Sequence, residues 1–297
     1  MPFFAIRLTL FKNVLQPVPT LYLAGNLQKP SRQLRLRQKT RMFCDVLLFR
    51  ASNDLGGTMK LDLLAIAAHP DDVELTCGGT LMKAADKGYQ TGILDLTAGE
   101  MGTRGTPETR LKEAAQAAKI MRVVHRENLR LPDAHLEVTK ETKLAVARRI
   151  RALKPHTVIL PYWEGRHPDH YTAARLGYEG CFLAGLKQLP IEGEAFRPFK
   201  ILYSTVYFRE VRPTFVVDIS RYFDRRYEAI LAYHSQFNPK AKDKKSKVDI
   251  PLDRLHHEVN LIARYYGQMA GVEYAEPFLV KEVMQVEDVV KLLVRSI

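Results

Sequence analysis

The stretch LLAIAAHPDDVE, residues 63–74, decides the fold of this chain. Its apolar first half is typical of a strand that is buried on both faces of a sheet. A second apolar run, residues 158–160, leads in the same way to the motif HPDH at residues 167–170. Strand-like and helix-like segments alternate from residue 60 onward. This predicts an α/β fold with a Rossmann-like, mostly parallel sheet and helices on both faces.

The spacing of hydrophobic residues predicts the individual elements. Predicted strands cover residues 60–68, 91–97, 127–131, 157–161, 201–208 and 214–219. Predicted helices cover residues 73–87, 108–121, 140–153, 168–186, 221–234 and 252–271. The carboxyl ends of parallel strands face one crevice, where such sheets bind ligands, so we expect the two motifs to meet there.

Charge is distributed unevenly along the 297 residues. The whole chain carries a net charge of +12, and residues 1–58 contribute +7 of it through nine lysines and arginines against two aspartates. We expect residues 1–58 to be a poorly structured basic extension, as a start codon assigned too early would produce. Residues 59–297 are expected to form a single domain, and the 46% hydrophobic and 26% charged residues of the chain are typical of a folded protein.

Cysteine usage and hydropathy constrain the compartment. The three cysteines, Cys44, Cys77 and Cys181, are far apart and form neither a zinc knuckle nor a disulfide framework. This favours a reducing, cytoplasmic location. The chain has no run of about 18 apolar residues, so we expect no membrane-spanning helix.

Both motifs carry side chains that bind divalent metals. His69 and Asp72 are three residues apart at the start of a helix and share one face, and His167 and His170 repeat this spacing. A catalytic zinc site needs three protein ligands and one open position, and His69, Asp72 and His170 can supply those ligands. Asp71 then remains as a general base, and His167 remains as an acid or an oxyanion donor. Such a set also binds iron, cobalt or manganese.

A purely structural role is the alternative for each motif, because a Pro-Asp pair often does no more than start a helix. Two such clusters at two strand ends are hard to attribute to capping alone. Asp71, Asp72 and Glu74 also concentrate negative charge, which is costly without a nearby cation. The combination therefore favours a metal site.

Several segments resemble the LmbE/PIG-L family of zinc-dependent N-acetylglucosamine deacetylases. The first motif is followed by GGT at residues 78–80, and HPDH at residues 167–170 matches the second metal motif of that family. The resemblance covers the chain from residue 59 onward, and within the family it is strongest to the deacetylase of bacillithiol biosynthesis. Further matching segments are DLTAGEMGTRGT at residues 95–106, ETR at 108–110, NLRLPD at 128–133, VDIS at 217–220 and AYHSQF at 232–237.

The resemblance implies an activity and roles for further residues. The implied reaction is removal of the acetyl group from N-acetylglucosaminyl malate, with zinc, or another divalent metal such as iron, held by the three ligands named above. It implies that Asp71 is the base, that Arg110 contacts the sugar hydroxyls, and that Tyr233 is a mobile tyrosine that assists the oxyanion. Members of the family often form hexamers, so the resemblance also implies a homo-oligomer.

Two alternatives remain open at this stage. Another N-acetylglucosamine conjugate, such as a mycothiol precursor, chitobiose or a phosphatidylinositol sugar, fits the same metal motifs. A basic nucleic-acid-binding protein is the alternative of a different class, based on residues 1–58 and on the lysine-rich residues 240–247. The basic run lacks the interleaved aromatic residues that a stacking surface needs. We therefore expect a small-molecule amino-sugar substrate and no nucleic-acid partner.

Overall fold

The computed structural model describes residues 59–207, 211–237, 252–292 and 294. The basic extension of residues 1–58 and the lysine-rich residues 240–247 lie outside the described residues, so the predictions made for them stay predictions. Among the helices that the structure describes, none combines the length and the apolar character needed to cross a membrane.

The described residues form a seven-stranded sheet with the strand order β3-β2-β1-β4-β5-β7-β6. Strands β1 to β5 are parallel, whereas β7 runs antiparallel to both β5 and β6. The predicted α/β fold with a mostly parallel sheet is therefore confirmed. The strands are β1 (Leu63–Ala67), β2 (Thr91–Thr97), β3 (His125–Leu131), β4 (Thr157–Pro161), β5 (Lys200–Ser204), β6 (Phe215–Asp218) and β7 (Ala275–Leu279).

The helices follow the strands as an α/β fold requires. Two of them begin with threonine caps: the hydroxyl of Thr106 accepts the backbone N–H of Thr109, and Thr139 forms a capping box with Thr142. The helices are α1 (Asp72–Thr76), α2 (Gly78–Asp86), α3 (Pro107–Met121), α4 (Lys140–Leu153), α5 (Pro168–Ala184), α6 (Phe223–Leu231), α7 (His234–Phe237) and α8 (Leu252–Ala270), and a 3₁₀ turn covers Val289–Lys291.

Two hydrophobic cores lie on opposite faces of the sheet, because successive side chains of a strand point to opposite faces. Leu64 and Ile66 of β1 belong to the core that also contains side chains of α4 and α5. Leu63, Ala65 and Ala67 belong to the core that contains side chains of α2, α3 and α6. This explains why β1 reads as a continuous apolar run and not as an alternating one.

The predicted helix over residues 73–87 is two helices, and the prediction of one was wrong. The backbone leaves the helical region at Cys77, where φ is −148°. The N–H groups of Gly79 and Thr80 then donate to the buried carboxylate of Glu276, at 2.9 and 2.7 Å. A β-carbon at Gly79 would lie only 2.8 Å from Ile219, so the second helix packs too closely there for any residue but glycine.

The sequence pattern also missed β7 and overestimated two elements near it. β7 contains Pro277, which argues against a strand in any single-sequence prediction. The strand predicted over residues 201–208 ends at Ser204, with residue 208 outside the described part, and the helix predicted over residues 221–234 ends at Leu231.

The strand order reverses between β1 and β4, which are paired in the centre of the sheet. In open α/β sheets this switch point is where ligands bind, beyond the carboxyl ends of the strands. The motif at residues 69–72 follows β1, and the motif at residues 167–170 follows β4. The fold therefore places both motifs at its natural crevice.

Candidate metal centre and active site

The structure brings His69, Asp72 and His170 together. One ligand atom from each residue lies within 4.8 Å of the others. The Asp72 carboxylate lies between the two imidazoles, with Oδ2 at 3.3 Å from His69 Nδ1 and Oδ1 at 3.2 Å from His170 Nε2. Two imidazoles and one carboxylate form a donor set that suits zinc or iron.

Asp72 is fixed by the turn that carries it. The backbone N–H of His69 donates to Asp72 Oδ2 at 2.9 Å, and the hydroxyl of Tyr207 donates to Oδ1 at 3.3 Å. Burial alone would raise the pKa of Asp72, but the imidazoles of His170 and His69 outweigh it and hold the pKa well below its usual value. Asp72 is therefore ionised, as a metal ligand must be.

Two further carboxylates hold the other nitrogen of the His69 ring. His69 Nε2 lies 3.1 Å from Asp133 Oδ1 and 3.3 Å from Asp169 Oδ2. Burial lowers the pKa of His69, but hydrogen bonds to Asp133 and Asp72 outweigh burial and raise the pKa to about 11. A carboxylate on one ring nitrogen orients the other nitrogen toward a metal, which is the usual arrangement at metal sites.

Sequence reasoning gave no role to Asp133 or Asp169. Asp133 follows the end of β3, and its Oδ2 accepts the backbone N–H of Met101 at 2.8 Å. Asp169 lies within the second motif, and its Oδ2 accepts the backbone N–H of Ala134 at 2.8 Å. The available signal was position, since Asp133 comes just after β3 and Asp169 lies in the motif that follows β4.

A second group of donors shares His69. His69, His167 and Asp169 also offer ligand atoms within 4.8 Å of one another. His167 is exposed, however, whereas every member of the first group is buried or partly buried. We therefore take His69, Asp72 and His170 as the candidate metal ligands and Asp169 as a partner of the His69 ring.

Asp71 has a strained backbone and does not cap the helix that follows it. Its φ is 109°, a left-handed conformation that costs a residue other than glycine about 1–3 kcal/mol. Its side chain makes no capping hydrogen bond to α1, so the purely structural reading of the first motif does not apply. Burial raises the pKa of Asp71 to about 7, although the Arg110 guanidinium opposes this rise. That value suits a general base at neutral pH.

Arg110 is the fixed partner of Asp71. Its Nη2 donates to Asp71 Oδ2 at 3.0 Å and to the carbonyl oxygen of Pro70 at 2.6 Å, and its Nη1 donates to the carbonyl oxygen of Gly99 at 3.2 Å. Only 5% of the residue is exposed. The structure therefore places Arg110 behind Asp71, whereas the resemblance implied a contact with sugar hydroxyls.

His167 lies beside both metal-ligand imidazoles. Its ring centroid is 4.8 Å from that of His69 and 4.6 Å from that of His170. Its Nδ1 accepts the backbone N–H of Asp169 at 3.3 Å, which leaves the other ring nitrogen for a substrate. Burial, with the positive charges of His170 and His69, lowers the pKa of His167.

Tyr233 is not part of this cluster. Its side chain is fully buried in the core beneath the sheet, and its hydroxyl donates to Glu74 Oε1 at 3.1 Å. An oxyanion role for Tyr233 stays a prediction that these contacts do not support. Tyr207 is the tyrosine at the cluster, with its ring stacked on His170 at 5.1 Å. No motif marks Tyr207, and its only signal is its position just after β5.

Glu74 is paired with an arginine and is not among the candidate metal ligands. It is fully buried, and Arg126 Nη1 donates to Glu74 Oε1 at 2.6 Å. The same guanidinium donates to both oxygens of Asp95, at 2.8 and 3.0 Å. Arg126 is thus shared between Glu74 and Asp95, and the sequence argument that counted Glu74 toward a cation site stays a prediction.

A cavity of about 560 Å³ opens at the cluster. This volume is within the range of small-molecule sites. Four residues of the cluster region line it, namely Asp72, His167, His170 and Tyr207.

Comparisons with known proteins agree with this geometry. A family model described as "PIG-L: GlcNAc-PI de-N-acetylase" matches residues 64–181, a range that contains both motifs. A diacetylchitobiose deacetylase from Thermococcus kodakarensis is 31% identical over 227 residues, which are 72% of this chain and 80% of that protein. The chain belongs to the PIG-L deacetylase family.

Two further relatives match this chain over most of its length. The conserved protein TT1542 from Thermus thermophilus, known from a crystal structure, is 42% identical in sequence and superposes with a TM-score of 0.68. The match covers 76% of this chain and 98% of TT1542. A probable N-acetyl-alpha-D-glucosaminyl L-malate deacetylase 2 from Bacillus cereus is 28% identical over 206 residues, 64% of this chain and 90% of that protein. The predicted family is confirmed, and the PIG-L match shows a deacetylase without choosing its substrate.

Proposed function

We propose that this chain is a metal-dependent hydrolase that removes the acetyl group from an N-acetylglucosamine conjugate. The observation that carries the proposal is the position of Asp71. It adjoins the donor cluster of His69, Asp72 and His170, is oriented by Arg110, and has a pKa of about 7. A carboxylate base next to a metal site suits the hydrolysis of an amide.

The donor set fits a divalent ion, and we propose zinc, with iron as the other metal to test. His69, Asp72 and His170 would hold it, and Asp133 and Asp169 would keep the His69 ring in place. When bound, such an ion lowers the pKa of a coordinated water and polarises a carbonyl oxygen.

The residues of the chain have separate tasks in this proposal. Asp71 accepts a proton from the water that attacks the carbonyl carbon of the acetamide. The carbon–nitrogen bond then breaks, the proton passes to the leaving nitrogen, and acetate and a free amino sugar are released. His167 and Tyr207 line the cavity at the cluster. The free ring nitrogen of His167 can donate to the developing oxyanion, whereas the hydroxyl of Tyr207 donates to Asp72 and holds that ligand in place.

The identity of the sugar conjugate is a separate part of the proposal. N-acetylglucosaminyl malate, the substrate in bacillithiol biosynthesis, and diacetylchitobiose are the two candidates that named relatives support, at 28% and 31% identity. Arg166 lines the cavity and could pair with a malate carboxylate, but Glu164 lines it too. The hexameric state and the cytoplasmic location also stay predictions.

One experiment tests the activity and the substrate together. The metal-free protein is reconstituted with zinc or with iron, and amine release is measured with N-acetylglucosaminyl malate, diacetylchitobiose and N-acetylglucosamine. We expect metal-dependent release of one amine per acetate. The Asp71→Asn variant is the control for contaminating hydrolases. Amine release that persists in this variant, or that needs no metal, would contradict the proposal.

A further inference from the structure

The cavity at the cluster continues well beyond the candidate ligands. Past Asp72 it is lined by apolar side chains from the central strands, from α1 and from α8, and we call this part the apolar arm. Its lining residues are Ala67, Val73, Cys77, Ile159, Leu255 and Val259.

The apolar arm is lined by buried side chains. Each of its six lining residues is buried, with less than a tenth of its surface exposed. Residues of the core between the sheet and helices α2, α3 and α6 form one wall, and residues of the cluster beneath α8 form the other. Helix α1 runs along the arm from Asp72, and at 1.5 Å per residue it carries the wall roughly 7 Å further to Cys77.

The polar side chains of this part of the cavity are already partnered. The hydroxyl of Ser204 donates to the carbonyl oxygen of Thr76 at 3.1 Å, and the hydroxyl of Thr76 donates to the carbonyl oxygen of Asp72 at 2.7 Å. Glu258 pairs with Arg254 at 2.9 Å. The arm therefore presents an apolar surface to a ligand, whereas the hydroxyl groups of a sugar ring need free hydrogen-bonding partners.

We propose that the apolar arm binds the acyl chain of N-acyl glucosamine conjugates, so that this enzyme hydrolyses N-acyl groups longer than acetyl. The proposal rests on the function proposed above and uses the same reaction. Water adds to the carbonyl carbon, the carbon–nitrogen bond breaks, and the products are a fatty acid and the free amine.

The covalent structure of the substrate identifies the acyl chain as the occupant of the apolar arm. The acyl chain is attached to the carbonyl carbon that must lie at the cluster, and it ends in a methyl group. It can therefore enter the apolar arm next to the reacting carbon. The group at the anomeric carbon lies on the other side of the bond that breaks, because it is joined to the carbonyl only through the amide nitrogen and C2 of the sugar. The sugar has to stay at the polar mouth near His167 and Arg166.

A series of substrates tests this inference. Amine release is measured for glucosamine carrying N-acetyl, N-butyryl, N-hexanoyl or N-octanoyl groups, and for octyl N-acetylglucosaminide. Each methylene that enters the arm should raise kcat/KM by up to about fourfold, the ratio that corresponds to burial of one methylene. A gain with the octyl glycoside alone would place the aglycone in the arm and overturn the inference.

Substitutions in α8 test whether the acyl chain occupies the apolar arm. Val259→Trp fills the arm and should lower the ratio of kcat/KM for the hexanoyl and acetyl substrates at least tenfold. Ile262→Phe, at a less buried position of the same cavity, should lower it in the same direction. Leu261→Trp is the matched control, because Leu261 is 53% exposed and does not line the cavity. An unchanged ratio in both filling variants would overturn the inference.

The outcomes for the two proposals are distinguishable. Hydrolysis of the acetyl substrate alone would overturn the acyl-chain inference and leave the deacetylase function intact. No hydrolysis of any N-acyl substrate by the metal-loaded protein would overturn both.

Discussion

Arg110 Nη2 lies 3.0 Å from Asp71 Oδ2 and 2.6 Å from the carbonyl oxygen of Pro70. One guanidinium nitrogen thus holds both the side chain of the candidate base and the backbone of the turn before it. Asp71 has a left-handed conformation that the sequence alone does not favour. Arg110 therefore stabilises a strained turn and orients the carboxylate that this turn presents.

Replacing Arg110 by lysine should lower kcat and leave KM nearly unchanged. Lysine lacks the planar fork that reaches Asp71 and the carbonyls of Pro70 and Gly99 together. We expect a loss of about 10- to 100-fold, part of the roughly 10²- to 10⁴-fold contribution of a general base. Steady-state kinetics check this, and a rise in KM at constant kcat would instead support the sugar contact implied by the resemblance.

The Asp71→Asn variant should bind metal and turn over slowly. The asparagine side chain would keep the shape of the aspartate but could not accept the proton, so kcat should fall by about 10²- to 10⁴-fold. Elemental analysis of the purified variant should show the metal content of the parent protein. Parallel loss of metal and activity would show that Asp71 is a ligand and not the base.

His170→Ala should lose metal outright, whereas Asp133→Asn should weaken its binding. Asp133 contacts His69 and not the metal position itself, and loss of such an outer partner typically costs about 10- to 100-fold in affinity. Both variants are dialysed against graded chelator, and the remaining metal is measured. Full metal retention by the His170→Ala variant would contradict the proposed ligand set.

Substitution of Tyr207 should affect catalysis, and substitution of Tyr233 should affect stability. Tyr207→Phe removes the hydroxyl that donates to Asp72 and should lower kcat by about tenfold, as loss of an outer partner of a metal ligand does. Tyr233→Phe removes a buried hydroxyl that bonds Glu74 and should cost about 1–3 kcal/mol of unfolding free energy, with activity retained in the folded fraction. Kinetics and urea unfolding check the pair, and the reverse result would restore the oxyanion role to Tyr233.

Glu276→Gln should destabilise the fold strongly. Glu276 is fully buried, accepts N–H groups at the start of α2, and lies 3.2 Å from Arg226. Removing one charge of a buried pair costs about 3–5 kcal/mol. Glu273→Gln is the matched control, because Glu273 pairs with Arg264 at the surface, where such pairs contribute about 0–1 kcal/mol. Urea unfolding measures both, and equal effects would contradict this account.

The local pattern of hydrophobic residues was enough to predict the central strands and several helices. β2 over Thr91–Thr97 and α4 over Lys140–Leu153 begin and end where the spacing of hydrophobic residues predicts. The strand is buried on both faces, and the helix buries one apolar face. The meeting of the two motifs also followed from the sequence, since parallel strands end on one edge of the sheet.

Long-range contacts explain what the pattern missed. The helix break at Cys77 depends on Glu276, which is about two hundred residues away in the chain. The contacts of Asp133 and Tyr207 with the cluster depend on loops whose paths carry no periodic signal. Arg110 was found only through the resemblance, because a buried arginine on a helix looks like any other charged helix residue in the sequence.

The position of β7 has a consequence for biosynthesis. β7 is inserted between β5 and β6, and in the described part of the chain β6 pairs with no other strand. A ribosome makes β5 and β6 well before β7, so the edges of β5 and β6 that pair with β7 stay exposed in the nascent polypeptide until β7 emerges. Emergence of β7 is then the event that lets Glu276 reach the N–H groups at the start of α2.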